Sequence, residues 1–207
     1  MTTAFTEKRV APRVERTVAL KDGREVTIRN MRPADVEGSF SFFNALPEED
    51  RRYLRGDVTR RDIVERRTTE IDIGRVDRLV AVVGDEIVAD GALELQGHGW
   101  GEGIGELRLI VARPYQHLGL GTLLARELYY LAMQHKLDRI VVRVMRPQSR
   151  AHRIMRRLGF KEEFLIPEHV RDLDGAWQDL IIMRCNLDEL WREMESVVEA
   201  SDWRWHR

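Results

Sequence analysis

Apolar residues along this chain change period several times, and each change marks an element. Val18 and Leu20 alternate with polar neighbours, Asp22-Gly23 offers a turn, and Val26 and Ile28 resume the alternation, which predicts a β-hairpin. Pro33 and Asp35 place a fixed φ and a negative charge in a first helical turn, so a helix is expected to about Asn44, with Phe40, Phe43 and Leu46 among its apolar contacts. Further helical stretches are expected from Pro47 through Leu54 and over Arg60 to Glu70. Leu79 to Val83 and Glu86 to Leu95 read as a second hairpin across Gly84-Asp85.

Glycine then occupies every second place from Gly97 to Gly105. Positions without side chains do not make a core strand, so a mobile hairpin loop is expected, either folding over a substrate or serving only as a connector. From Glu106 an apolar strand pattern (Leu107, Leu109, Ile110, Val111) stops at Pro114. After a glycine-containing turn the apolar positions recur at Leu120, Leu123, Leu124, Leu128, Leu131 and Ala132, at helical spacing. Arg139 to Met145 reads as a buried strand, and Ala151, Ile154, Met155 and Leu158 mark one face of a helix stopped by Gly159. Lys161 to Gly175 is polar and is expected to be irregular around a short strand at Leu165 and Ile166. Trp177 to Cys185 is the closing strand, and Asp188-Glu189-Leu190-Trp191 starts a terminal helix.

With 207 residues and 43% hydrophobic content, one well-packed domain is expected. The division predicted is a mobile arm over 1–16, a domain over 17–187 and a helical extension over 188–207. Trp203 and Trp205 would pack on the domain or on a second subunit, so a homodimer is compatible with the chain. The 34 basic and 35 acidic side chains leave a formal charge of −1, which argues against nucleic acid or an anionic membrane as partner. No stretch approaches a membrane span, the N-terminal residues include Glu7, Lys8 and Arg9, and the single Cys185 reads as a small buried hydrophobe. A cytoplasmic location is expected. The six histidines show no metal-ligand spacing, His98 included, so no metal site is expected.

The turn at Gly119 and Gly121 opens a helix, whose first amides lack intrahelical partners and carry the positive end of its dipole. Such a turn suits a phosphate or pyrophosphate, although the needs of a tight turn also account for the glycines. A dinucleotide fingerprint would place glycine where Leu124 stands, and a Walker loop would follow its glycine with lysine rather than Thr122.

What the stretch resembles is the pyrophosphate-binding segment of the GNAT superfamily of acyl-CoA N-acyltransferases, Val-x-x-x-(Tyr/Phe/Trp)-(Gln/Arg)-x-x-Gly-x-Gly/Ala. Val111, Tyr115, Gln116, Gly119 and Gly121 occupy the matching places. Gln148 to Phe160 resembles the family's later Asn-(x)n-Leu-Gly-Phe helix, with Gln148 in place of asparagine and Met155 where many members carry a tyrosine that protonates the leaving thiolate. The opening hairpin and the helix entered near Arg32-Pro33 are also similar to the start of a GNAT domain. The resemblance implies an α/β (α+β) GNAT fold: a mixed, mostly antiparallel twisted sheet, splayed between two parallel strands and flanked by helices.

It further implies acetyl-CoA as cosubstrate, held by the backbone from Gln116 through His117, Leu118, Gly119, Leu120 and Gly121 to Thr122. Main-chain groups of Leu109, Ile110 and Val111 would meet pantetheine and the thioester oxygen, and Gln148 joins the cofactor set. Arg150 and Arg153 are candidates for the adenosine 3′-phosphate. The acceptor is a primary amine, on a protein lysine or a small molecule, and its proton needs a base. Glu106, five residues before Val111, is the catalytic candidate, because some bacterial protein lysine acetyltransferases carry a glutamate at that offset. A hydrated strand-end acid is the alternative, and Glu102, Glu94 and Asp90 are lesser candidates. Arginines 51, 52, 55, 60 and 61 line either an acceptor wall or a solvated helix face. A GNAT-like module that binds acyl-CoA without turnover is kept open by the missing tyrosine.

Overall fold

The two alternating segments near the N-terminus pair as β1 (Glu15–Ala19) and β2 (Glu25–Asn30), with Glu15 opposite Arg29 and the turn made by Gly23 at φ 85°. The computed structural model describes residues 12–72, 75–97 and 99–189. A short 3₁₀ turn over Pro33–Asp35 leads into α1 (Val36–Ala45), followed by α2 (Glu48–Arg51) and α3 (Arg61–Asp72). The second helical stretch is thus shorter than its expected run to Leu54. Next come β3 (Val76–Val83), β4 (Glu86–Leu95), β5 (Ile104–Val111), α4 (Leu120–Gln134), β6 (Arg139–Met145), α5 (Ser149–Arg157), β7 (Lys161–Arg171) and β8 (Trp177–Asn186).

One eight-stranded sheet has the order β1-β2-β3-β4-β5-β6-β8-β7. Every neighbouring pair is antiparallel except β5 and β6, which run parallel and pair only where Ile104–Glu106 meet Arg139–Val141. Beyond Glu106 the two strands part, so the expected mixed sheet with a splay is present.

The sheet is covered on both faces because α4 and α1 each carry an apolar stripe. Leu120, Leu124, Leu128 and Leu131 of α4 are fully buried with Leu79, Leu93, Leu107 and Ile140. Each such leucine contributes about 1.5–3 kcal/mol by burial. Gly91 lets α4 approach β4, since a Cβ there would stand 3.0 Å from Leu128 Cδ1 and 3.2 Å from Leu124. On the opposite face Phe42, Phe43 and Leu46 pack with Val64, Val80 and Ile87. Among the described residues no helix is long and apolar enough to cross a membrane.

Three expectations are corrected. Lys161 to Arg171 is an eleven-residue edge strand, not a short strand in an irregular segment. Its side chains are exposed on both faces, so no alternation marks it, and Pro167 falls within the break in register between Ile166 and Val170. The end of the glycine segment is anchored rather than mobile. Asp138 N–H donates to Gly103 O at 2.8 Å, and Gly105 lies buried in β5, where a Cβ would stand 2.7 Å from Leu137 and 2.8 Å from Leu93. At the N-terminus β1 begins at Glu15 and Val14 is buried, so the last residues assigned to the arm belong to the sheet. The rest of the arm, His98, and the C-terminal extension from residue 190 lie outside the described residues.

Candidate active site

The splay and the turn after β5 form one continuous site. Along a strand, successive residues turn their backbone groups to opposite sides. Ala112 N–H donates to Val88 O of β4, so the alternation turns Ile110 toward β4 as well, and Leu107, Leu109 and Val111 toward the gap. Val111 O is indeed free of the β4 ladder and accepts from Gln116 Nε2 at 2.8 Å. Of the three residues expected to offer main chain, Leu109 and Val111 face the splay. Ile110 instead gives its side chain to the α1 face of the core.

Past Val111 the chain makes a 3₁₀ turn over Arg113–Tyr115 and enters α4 through Gly119, whose φ of 92° is left-handed. His117 is also left-handed, at φ 64°. This pair of reversals turns the backbone so that the N–H groups from His117 to Thr122 find no hydrogen-bond partner among the described residues. Six free donors at the positive end of a fifteen-residue helix make an anion cradle. The glycines act differently. Gly119 meets the strained φ, whereas a Cβ on Gly121 would meet only Val111 at 3.7 Å and Leu109 at 3.9 Å, ordinary contacts. Gly121 therefore serves open space above the cradle and not the fold.

The β1–β2 hairpin closes one side. Lys21 N–H donates to Leu118 O at 3.2 Å, and its Cε lies 3.9 Å from the Cβ position of Gly119, which brings an ammonium beside the cradle. Arg24 stacks on Tyr115 at 4.4 Å and donates to Pro114 O at 2.9 Å. Lys21 was not read from the sequence, because the contact spans nearly a hundred residues.

Glu106 stands where β5 and β6 part, and is 2% exposed rather than hydrated. It is in contact with Arg55, from the segment after α2, and lies 3.7 Å from Arg143 on β6. Glu94 sits opposite Glu106 on β4, close to Arg108 and 3.8 Å from Arg55. Two carboxylates facing each other across strands repel, and the three guanidiniums hold them together. Burial first, and then the neighbouring Arg108 and Arg143, pull Arg55 down to about 10, with Glu94 acting the other way. Of the lesser base candidates, Asp90 is buried between Arg67 at 2.7 Å and Arg78 at 2.9 Å, and Glu102 is exposed in the glycine turn.

Other expected residues are placed as follows. Gln116 works as a bracket: it donates to Val111 O, and its own carbonyl accepts from Arg150 at 2.9 Å, which ties Arg150 to the end of β5. Gln148 Oε1 accepts from Met145 N–H at 2.8 Å, closing the turn from β6 to α5. Arg153 is exposed on α5. Met155 is buried in the core, and Tyr129 donates to Leu158 O at 2.7 Å with burial pushing its phenol upward, so neither is a free acid. Tyr130 is exposed and Cys185 buried. Of the other helix arginines, Arg52 contacts Asp174, Arg60 pairs with Asp62 at 2.9 Å, and Arg61 pairs with Glu65 at 2.8 Å. A cavity of about 720 Å³ lies apart from the splay, lined by Phe160, Lys161, Arg184 and Cys185 among others.

The cradle and the backbone left unpaired on β5 fit a long ligand with an anionic end and amide groups along its length. Comparison with known proteins agrees. The model of the acetyltransferase (GNAT) family matches residues 42–160. Among solved structures, the GNAT domain of S. lividans PAT superposes with a TM-score of 0.70 at 18% identity, covering 83% of this chain and 96% of that one. Ribosomal-protein-alanine N-acetyltransferase from Brucella melitensis gives 0.67 at 19% identity, covering 77% and 98%. The yncA protein of Salmonella typhimurium, solved with its cofactor acetyl-CoA, gives 0.65 at 19%, covering 78% and 94%. Splayed sheet, amide cradle and family match together place this chain in the GNAT acetyltransferase family, whose acyl donor is acetyl-CoA.

Proposed function

We propose that the protein transfers an acetyl group from acetyl-CoA to a primary amine, with Glu106 as the group that takes the amine's proton. The observation that carries this is the carboxylate of Glu106, buried at the fork of β5 and β6 beside backbone that has no strand partner. Acetyl-CoA supplies the thioester, whose acyl carbon the amine nitrogen attacks with loss of the C–S bond. The cradle from His117 to Thr122 holds the pyrophosphate; the Gln116 N–H is taken by Arg113 O, so Gln116 acts only as the bracket behind it, and Lys21 adds a positive charge. Leu109 and Val111 offer main-chain hydrogen bonds along the gap.

An amine with the pKa of lysine, about 10.4, is neutral in roughly one molecule in 2,500 at pH 7, so removing its proton governs the rate. Glu106 receives that proton from the ammonium and passes it to solvent. With Met155 buried and Tyr129 bonded to Leu158 O, the departing sulfur takes its proton from water. The acceptor is a lysine side chain on a protein or a small amine, and the reaction takes place in the cytoplasm, in one domain that begins by Val14 and runs to about residue 187.

A second reading, acyl-CoA binding without turnover, is favoured by Met155 standing where a tyrosine acid would be. Thermal unfolding with acetyl-CoA, CoA and ATP in parallel, followed by CoA release in the presence of amines, tests both. A ligand at about 100 times its Kd adds roughly 2.7 kcal/mol. A rise with both CoA species but not ATP, together with amine-dependent CoA release, supports transfer. A rise without release from any amine or lysine-containing protein supports the binding module, and no rise at millimolar acetyl-CoA removes both readings.

A further inference from the structure

The face of the sheet that carries Glu106 continues past the fork. Val141 pairs with Glu106, so Arg143, two residues on, lies on the same face, 3.7 Å from Glu106. Opposite Arg143 on β8 is Ile182, and opposite Ile182 on β7 is Phe164; Leu180 and Ile166 pair in the next row of that face. Side chains paired across strands share a face, so an apolar strip runs from Arg143 to the free edge of the sheet. The helical layer packs on this face through Val80, Ile87 and Ile110, on β3 to β5, and Ile166 and Ile182 belong to neither buried cluster. Leu180 is buried, whereas Phe164 is 61% exposed.

One side of the strip is walled. Leu173 N–H, in the turn between β7 and β8, donates to Arg52 O at 3.0 Å, and Arg52 contacts Asp174. Three residues later Arg55 contacts Glu106, so the chain from Arg52 to Arg55 leads from that turn to the fork. The outer edge of β7 is blunted by Pro167, by the break in register around it and by the charges of Lys161, Glu162, Glu163 and Glu168. Such an edge resists pairing with another strand, which leaves the face rather than the edge to receive a partner.

The inner end of the strip is the place where the acceptor nitrogen meets Glu106, so what covers the strip is continuous with the acceptor. Neighbouring strands lie about 4.8 Å apart, which puts Ile182 and Phe164 roughly 5 and 10 Å beyond Arg143. An extended polypeptide advances about 3.3 Å per residue, so with a lysine directed at Glu106 a side chain two to four residues away falls on the strip. A short diamine would fill the fork and leave the strip in water. Resting on the acetyl-transfer reading above, we infer that the acceptor is a lysine within an extended polypeptide that carries a large apolar side chain two to four residues from it, seated on Ile182 and Phe164.

Lysine peptides carrying phenylalanine or serine three residues before or after the lysine test this, with cadaverine as the small amine. CoA release is followed at saturating acetyl-CoA. The expected result is a kcat/KM at least tenfold higher for phenylalanine than for serine on one side of the lysine, carried mainly by KM. That ratio should fall toward one in Phe164→Ser and persist in Phe164→Leu. Ratios near one on both sides, or release with cadaverine and none with any peptide, overturn the inference and leave acetyl transfer standing. A preference that persists in Phe164→Ser, confirmed folded by its thermal transition, also overturns it. If that variant sediments at half the mass of the wild type with the preference intact, a second copy of the chain is the occupant of the strip. Absence of CoA release with every acceptor, in protein that binds acetyl-CoA, overturns the transfer reading and this inference with it.

Discussion

Replacing Glu106 with glutamine keeps the volume and the hydrogen-bonding shape of the side chain and removes only its charge. Breaking a buried ion pair by neutralising one partner costs about 3–5 kcal/mol when the other partner stays buried. Here Glu106 is 3% exposed at its side chain, but Arg55 and Arg143 are 39% and 44% exposed and can turn to water. The cost should therefore fall to about 2 kcal/mol, which for a chain of this size lowers Tm by roughly 4–8 °C. Turnover should fall by a factor of about 10²–10⁴, the usual contribution of a positioned base. Acetyl-CoA affinity should stay within about twofold, because the cradle begins at His117, well beyond Glu106 along the chain. Without the base, the reaction depends on amine that is already neutral, so the rate of Glu106→Gln should rise close to tenfold per pH unit between about 7 and 9, more steeply than the wild type. Steady-state CoA release across that range, with calorimetry for cofactor binding, measures all three quantities. If Glu106→Gln retains turnover within threefold of wild type at pH 7, or shows the same pH slope, the base is some other group.

Three further outcomes follow from the geometry. Gly119→Ala forces a Cβ into φ 92° and should cost about 1–2 kcal/mol with weakened acetyl-CoA binding, whereas Gly121→Ala should leave stability within about 0.5 kcal/mol; equal Tm losses in the two variants would refute the distinction. Lys21→Met should weaken CoA binding about three- to tenfold at low salt and much less at 0.5 M salt, and an unchanged affinity by titration calorimetry would remove Lys21 from the cradle. Asp35 is disfavoured as a charge by its burial, but two contacts from Arg29 at 2.7 and 2.8 Å and the Arg32 N–H at 2.6 Å outweigh this and hold it below the usual carboxylate range. A lowered folded-state pKa gives stability that is complete above about pH 4 and lost as pH falls through the folded value. The Tm gap between wild type and Asp35→Asn should thus be constant from about pH 8 to 5 and close between about pH 4 and 2; a gap that stays open at pH 2 would contradict the pairing.

The parts of this fold legible in the sequence are those with a buried face of regular period. The leucines of α4 and the valines of β6 give boundaries within a residue or two, and the Gly119 turn was recognisable because its residues are consecutive. What escaped was decided by distant partners. Nothing near Gly105 in sequence says that Leu137 and Leu93 press on it, and nothing near Glu106 announces Arg55. The edge strand β7 hid for the opposite reason: with both faces in water its polar run carries no period at all. Gln116, read as a cofactor contact by its place in a motif, also has an architectural task between Val111 and Arg150 that a motif cannot express.

The hairpin of β1 and β2 lies wholly before residue 42, where the family match begins, yet Lys21 and Arg24 at its turn lean on the loop that opens α4. Expressing only the matched segment would therefore remove this hairpin and one wall of the anion cradle together, and with them β7 and β8, which lie beyond residue 160. A shortened version of this kind, inactive in the test tube, would say nothing about catalysis at the fork. Any dissection of the chain should keep Pro12 onward attached.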